Sequence, residues 1–85
     1  MFHKIKNIEA KEDFILVAYF YDGTVKEYDV KPLFEELPVF NDLKTAHGLF
    51  EQVKVDAGGY GISWNDNLDL ACEELWSKGE CMVRE

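Results

Sequence analysis

The stretch Phe14-Ile-Leu-Val-Ala-Tyr-Phe-Tyr-Asp-Gly-Thr-Val-Lys-Glu-Tyr-Asp-Val30 decides the fold. An apolar, β-branched run leads into Asp22-Gly23, and a second alternating run follows, which is the pattern of a β-hairpin. Two registers are open, and they bury different faces because side chains alternate along a strand. A two-residue turn at Asp22-Gly23 would pair Leu16 with Asp29 and place Glu27 and Asp29 beside Leu16, Ala18 and Phe20. A three-residue loop with Gly23 in the left-handed conformation pairs Phe20 with Thr24 and Leu16 with Tyr28. That register collects Phe14, Leu16, Ala18, Phe20, Tyr28 and Val30 on one face and buries no carboxylate, so it is the expected one. The opposite face keeps Ile15, Val17, Tyr19 and Val25, which is more apolar than solvation requires.

Outward from the hairpin, Met1 to Lys11 reads as a strand with a bulge near Asn7, because strict alternation fails between Ile5 and Ile8. Glu12-Asp13 turns the chain, and the first strand is expected to lie beside the hairpin. After Val30, Pro32 suits the first turn of a helix that Pro38 stops, with Asp29 as a candidate cap. Leu33, Phe34 and Leu37 have the spacing of one helix face. The segments around Asn41–Lys44 and His47–Gln52 read as short helical turns. Val53–Asp56 and Tyr60–Trp64 form a second hairpin around the glycine-rich Ala57–Gly61 turn. Asn65-Asp66-Asn67 is turn chemistry, and Asp69 is expected to cap a last helix from Leu70 to about Lys78, ended by Gly79. Residues 79–85 read as a flexible tail. The expected fold is α+β, an antiparallel β-sheet of hairpins packed with two or three short helices.

The length of 85 residues makes residues 1–85 a single domain with one modest core. Apolar residues at 47% and charged residues at 31% are ordinary for a folded globular chain. The apolar run Phe14–Tyr21 is far shorter than the roughly 20 residues needed to cross a bilayer. No apolar signal segment follows a basic N-terminus, so a cytoplasmic protein without membrane contact is expected. Net charge is −8, from 17 acids against 9 bases, and Arg84 is the only arginine. Nucleic-acid backbones are held by clustered basic side chains, so direct nucleic-acid binding is not expected. An acidic face suits a basic protein partner, or serves only to keep the chain soluble.

With the elements placed, the sequence resembles the small bacterial family called domain of unknown function 2442. The matching features are the strand ending Phe20-x-Asp-Gly23, then Tyr28-Asp-Val30-Lys-Pro-Leu33, then Leu49-Phe50-x-x-Val53-x-Val55-Asp56. Gly61-Ile62-x-Trp64-x-x-x-Leu68-Asp69-Leu70 and a helical Leu75 complete the set, which runs in order from Ile5 to Leu75. The loop Asn65-Asp66-Asn67 departs from the family's shorter turn. The resemblance implies an α+β domain with an antiparallel sheet and short helices, and no assigned activity. Some relatives carry the unit ahead of a helix-turn-helix domain and some occur beside toxin-like small proteins. It transfers no functional residue.

The side chains themselves point to no catalysis. Ala57–Gly61 lacks the Lys-Ser/Thr of a phosphate loop and runs into a strand instead of a helix. Asn65-x-Asn67-x-Asp69 begins like a calcium loop, but Leu70 stands where glycine is needed and Trp76 where the bidentate glutamate belongs. His3 and His47 have no ligand spacing. Cys72 and Cys81 fit no zinc or redox pattern and read as reduced thiols; a Cys72–His47 pair has no further support. Glu35-Glu36 and Glu73-Glu74 sit at helix starts, where they favour the dipole. No catalytic residue, metal or cofactor is expected.

The expected function is that of a non-enzymatic interaction or regulatory domain binding a protein partner, or a second copy as a homodimer. Ile15, Val17, Tyr19, Val25 and Trp64 are the candidate partner-binding residues. The alternatives are an antitoxin-like inhibitor of a neighbouring toxin and a small enzyme or ligand-binding protein, the last requiring a concave pocket.

Overall fold

The computed structural model describes residues 3–82. Three strands come first: β1 (Ile5–Lys11), β2 (Ile15–Phe20) and β3 (Val25–Asp29). A connecting segment holds α1 (Leu33–Glu36) and α2 (Asp42–Thr45). Then follow β4 (Lys54–Val55), β5 (Gly61–Asn65), β6 (Leu68–Ala71), α3 (Cys72–Lys78) and β7 (Glu80–Cys81). The strands form two antiparallel sheets, one in the order β1-β2-β3-β7 and one in the order β4-β5-β6. The α+β expectation holds, with the strands divided between two sheets.

The hairpin takes the three-residue register. Leu16 faces Tyr28 and Tyr19 faces Val25, the Phe20 amide donates to Thr24 O at 2.9 Å, and the Gly23 amide donates to Phe20 O at 3.0 Å. Gly23 has φ +93°, which a side chain rarely tolerates. Asp22 Oδ1 accepts the Thr24 amide at 2.9 Å and closes the turn. In β1 the pairing jumps from Ile5–Phe20 to Asn7–Tyr19, so the bulge falls at Lys6. Leu16, Ala18, Phe20, Tyr28 and Val30 are buried, as the register argument requires, whereas Phe14, before β2 at φ +58°, is only partly buried against them.

One cluster of buried residues unites both sheets, the connecting segment and α3. Trp64 on β5 is its largest member, 4% exposed, with its ring between Phe40 and Phe50 at centroid distances of 6.0 and 6.3 Å. Its indole N–H donates to Phe50 O at 3.1 Å, so the only polar atom of the ring is satisfied in the core.

The structure corrects the sequence reading at three places. Leu68–Ala71 is a strand, and the last helix starts at Cys72 instead of Leu70. Asn65 Oδ1 accepts the Asn67 and Leu68 amides at 2.8 and 3.0 Å and closes a tight turn. Leu68 and Leu70 then point inward while Asp69 and Ala71 are exposed, a period of two that overrides the helical stripe. Asp69 is therefore a strand residue and not a cap. Second, Leu37 is 46% exposed. The α1 helix lasts one turn and Leu37 is already extended (φ −132°, ψ 91°), so helical spacing no longer brings it beside Leu33. Third, Glu80 and Cys81, read as the start of a flexible tail, pair with Glu27 and Lys26 of β3, and the Met82 amide donates to Val25 O at 3.0 Å. The rest of that expected tail, residues 83–85, lies outside the described residues. Among the described residues, no helix is long and apolar enough to cross a membrane.

Candidate functional site

Alternation along β2 sends Leu16, Ala18 and Phe20 into the core and Ile15, Val17 and Tyr19 to the opposite face of the first sheet. Three rows cross that outer face. Lys11, Ile15 and Asp29 form the first; Glu9, Val17, Glu27 and Glu80 form the second; Asn7, Tyr19 and Val25 form the third. An apolar stripe on the central strand is thus bordered by carboxylates on β1, β3 and β7. Ile15, Tyr19 and Val25 are half-buried and Val17 is 4% exposed. None of the four belongs to the core cluster or to the apolar residues packed against it.

The electrostatics of this face are specific. The Tyr19 hydroxyl donates to Glu9 Oε1 at 2.8 Å, and Lys11 Nζ lies 3.3 Å from the same oxygen. The hydroxyl first and the ammonium second hold the Glu9 carboxyl below its ordinary value of 4.5. Glu27 and Glu80 stand directly opposite one another with no ion-pair partner among the described residues. Like charges in that position repel. Asp29 is held by Lys31 at 3.0 Å, and the same ammonium reaches Asp13 at 3.1 Å.

A pH dependence follows from Glu9. A carboxyl whose folded pKa is depressed adds stability above its unfolded value, and that stability is lost as pH falls through the folded value. Tyr19→Phe removes the larger cause, so the Glu9 side-chain carbonyl titration in NMR is expected to move up toward 4.5. An unmoved midpoint would show that the hydroxyl does not set it.

Four of the five residues singled out from the sequence therefore share this face. Trp64 does not: it is a core residue on the other sheet. Other polar contacts tie distant elements together. His3 stacks on Trp76 with centroids 3.7 Å apart and planes 6° apart, and its Nδ1 lies 3.1 Å from Glu73 Oε2. Lys26 Nζ sits 4.5 Å from the centre of the Trp76 ring and donates to Trp76 O at 2.6 Å. The Tyr28 hydroxyl donates to Glu74 Oε2 at 2.8 Å, and burial, with that carboxylate, raises its phenol far above the ordinary value.

Nucleophilic chemistry finds no support in these positions. Cys72 is buried, and burial pushes its thiol up, the reverse of what a reactive cysteine needs. Cys81 is exposed and free. Asn65 spends its side-chain oxygen on its own turn, which removes it from any calcium loop. Among the described residues, no group of three or more His, Cys, Asp or Glu side chains could hold a metal ion.

Fold and site together define a small α+β domain of two antiparallel sheets with one acid-bordered apolar sheet face. The chain belongs to the family described as Protein of unknown function (DUF2442), whose model matches residues 5–80. No curated protein and no solved structure matches it.

Proposed function

We propose that this domain is a non-enzymatic interaction module that docks a basic segment of a protein partner on the outer face of the first sheet. The observation that supports the reading most is the second row, where Glu9, Glu27 and Glu80 frame Val17. A segment carrying Lys or Arg would lay its aliphatic stems along the half-buried Ile15, Tyr19 and Val25 and its charges against the glutamates. The mutual repulsion of Glu27 and Glu80 would be relieved on binding. An antitoxin-like inhibitor covering a basic active site would be one instance of such a module.

Co-expression with the products of neighbouring genes tests the reading. A basic partner is expected to co-purify, and the double variant Glu27→Lys with Glu80→Lys is expected to lose it. Both side chains are exposed, so folding should survive the change. Charges at a contact rim act mainly on the association rate and its salt dependence. A partner held equally well by the charge-reversed variant, or the absence of any partner among those products, would remove the proposal. Light scattering on the isolated chain separates a homodimer from a hetero-complex.

A further inference from the structure

A cleft of about 490 Å³ opens where the first sheet meets the turn between β4 and β5. Its size falls within the roughly 300–1,000 Å³ range of small-molecule sites. Lys4, Ile5 and Lys6 line one part of it, Val55 and Gly59 another, and Tyr21 contributes an aromatic ring.

The sequence builds this place deliberately. The β1 bulge drops Lys6 out of the strand ladder, and bulges re-aim the side chain they carry. The Tyr21 amide donates to Lys4 O at 3.1 Å, which keeps Tyr21 beside Lys4 while its side chain stays 66% exposed. Gly59, at φ +80°, approaches so closely that a Cβ there would lie 2.6 Å from Ile5 O. The glycine therefore lets the β4–β5 turn pack directly against the β1 backbone at the floor of the cleft.

In a chain of net charge −8, Lys4 and Lys6 have no carboxylate within ion-pair distance among the described residues. The one carboxylate in the lining, Asp56, accepts the Ser63 hydroxyl at 2.7 Å. Lys4, Lys6, Tyr21 and Val55 thus line one concavity, with Lys4 Nζ at its edge, 5.2 Å from the centre of the Tyr60 ring.

We propose that this cleft binds a small phosphate monoester carrying a planar ring. The phosphate, with close to two negative charges at neutral pH, lies between the Lys4 and Lys6 ammonium groups, which bind it as point charges. The ring lies against Tyr21. Lys6 also borders Tyr19 and Val25 of the outer-face stripe, but the proposal uses none of that face's carboxylates, so its failure would leave the docking of a basic partner untouched.

Titration of the full ¹⁵N-labelled chain at low salt with adenosine monophosphate, inorganic phosphate and adenosine tests the proposal. Saturable amide shifts are expected at residues 4–6, 21 and 58–59 with adenosine monophosphate, and weaker binding with either half alone. Added salt is expected to weaken binding, since the contacts are exposed charges. Lys4→Gln with Lys6→Gln is expected to reduce affinity at least about tenfold, the scale of a lost charge-assisted contact; Lys6→Arg is expected to retain it. Both lysines are exposed, and an unchanged dispersion of amide signals will show that the variants fold. Shifts that never saturate, or equal affinity in the double glutamine variant, overturn the site. Equal affinity for phosphate and adenosine monophosphate overturns the ring contact and with it the ligand class.

Discussion

Trp64→Ala is expected to remove roughly 3–5 kcal/mol of stability, the usual cost of truncating a buried tryptophan. A chain of 85 residues has only about 4–13 kcal/mol in total by the general scaling of small domains, so a large share of its stability rests on this side chain. Three losses combine at the position. The apolar area returns to water in the unfolded reference, a cavity opens between Phe40 and Phe50, and the Phe50 carbonyl loses the indole donor. Urea denaturation will read the effect as a fall in midpoint. Trp64→Phe should recover part of the loss by refilling the space, without restoring the hydrogen bond. Val25→Ala on the outer sheet face should cost far less, because its side chain lies outside the core cluster. Similar midpoints for Trp64→Ala and Val25→Ala would contradict the assignment of the tryptophan to the core.

The second large effect is expected at Gly59→Ala, at roughly 2–3 kcal/mol. Two costs coincide there. The backbone is left-handed at φ +80°, and an added methyl would sit 2.6 Å from Ile5 O and 3.2 Å from Ile5 N. Backbone atoms cannot step aside as a flexible side chain can, so the β4–β5 turn and β1 would have to separate. Gly48→Ala is the matched control, since Gly48 has the same φ of +80° and nothing within 4 Å. It should lose only the dihedral cost of about 1–2 kcal/mol. Equal losses at both positions would mean that the approach of the turn to β1 has no energetic weight.

Much of this architecture could be read from the chain. Only one hairpin register leaves Glu27 and Asp29 in solvent, and the same rule separates the core face from the outer face. The β1 bulge was visible as a break in alternation between Ile5 and Ile8. Family resemblance followed from motifs spread across the whole chain, and the matched region begins at residue 5 and ends at residue 80. Other features were not legible, for identifiable reasons. Leu68 to Ala71 satisfies a strand period and a helical stripe at once, and the choice is made by pairing with β5, where Leu70 faces Ile62 and Asp69 faces Ser63, which the pattern alone does not display. The short β7 strand has no pattern of its own, because a two-residue strand is defined by its partner β3. By its size Trp64 suits either the core or a partner surface, and the positions of Phe40 and Phe50 place it in the core. The Lys4–Lys6 cleft has no signature in the sequence, because its residues come from the start of the first strand, the hairpin turn and the glycine-rich turn, far apart along the chain.

The two tryptophans of the described chain have a practical consequence. Trp64 lies in the apolar interior, whereas Trp76 is gripped between an imidazole and an ammonium near the first described residue and the β3–β7 edge. An excited indole is sensitive to both kinds of neighbour, so one protein carries two optical probes with different surroundings. Single-tryptophan versions, with phenylalanine at the other position, would report separately on the interior and on the clasp that joins the chain's beginning to α3. Emission from the clasp changing before that of the interior would reveal local detachment, a process that a single melting curve averages away.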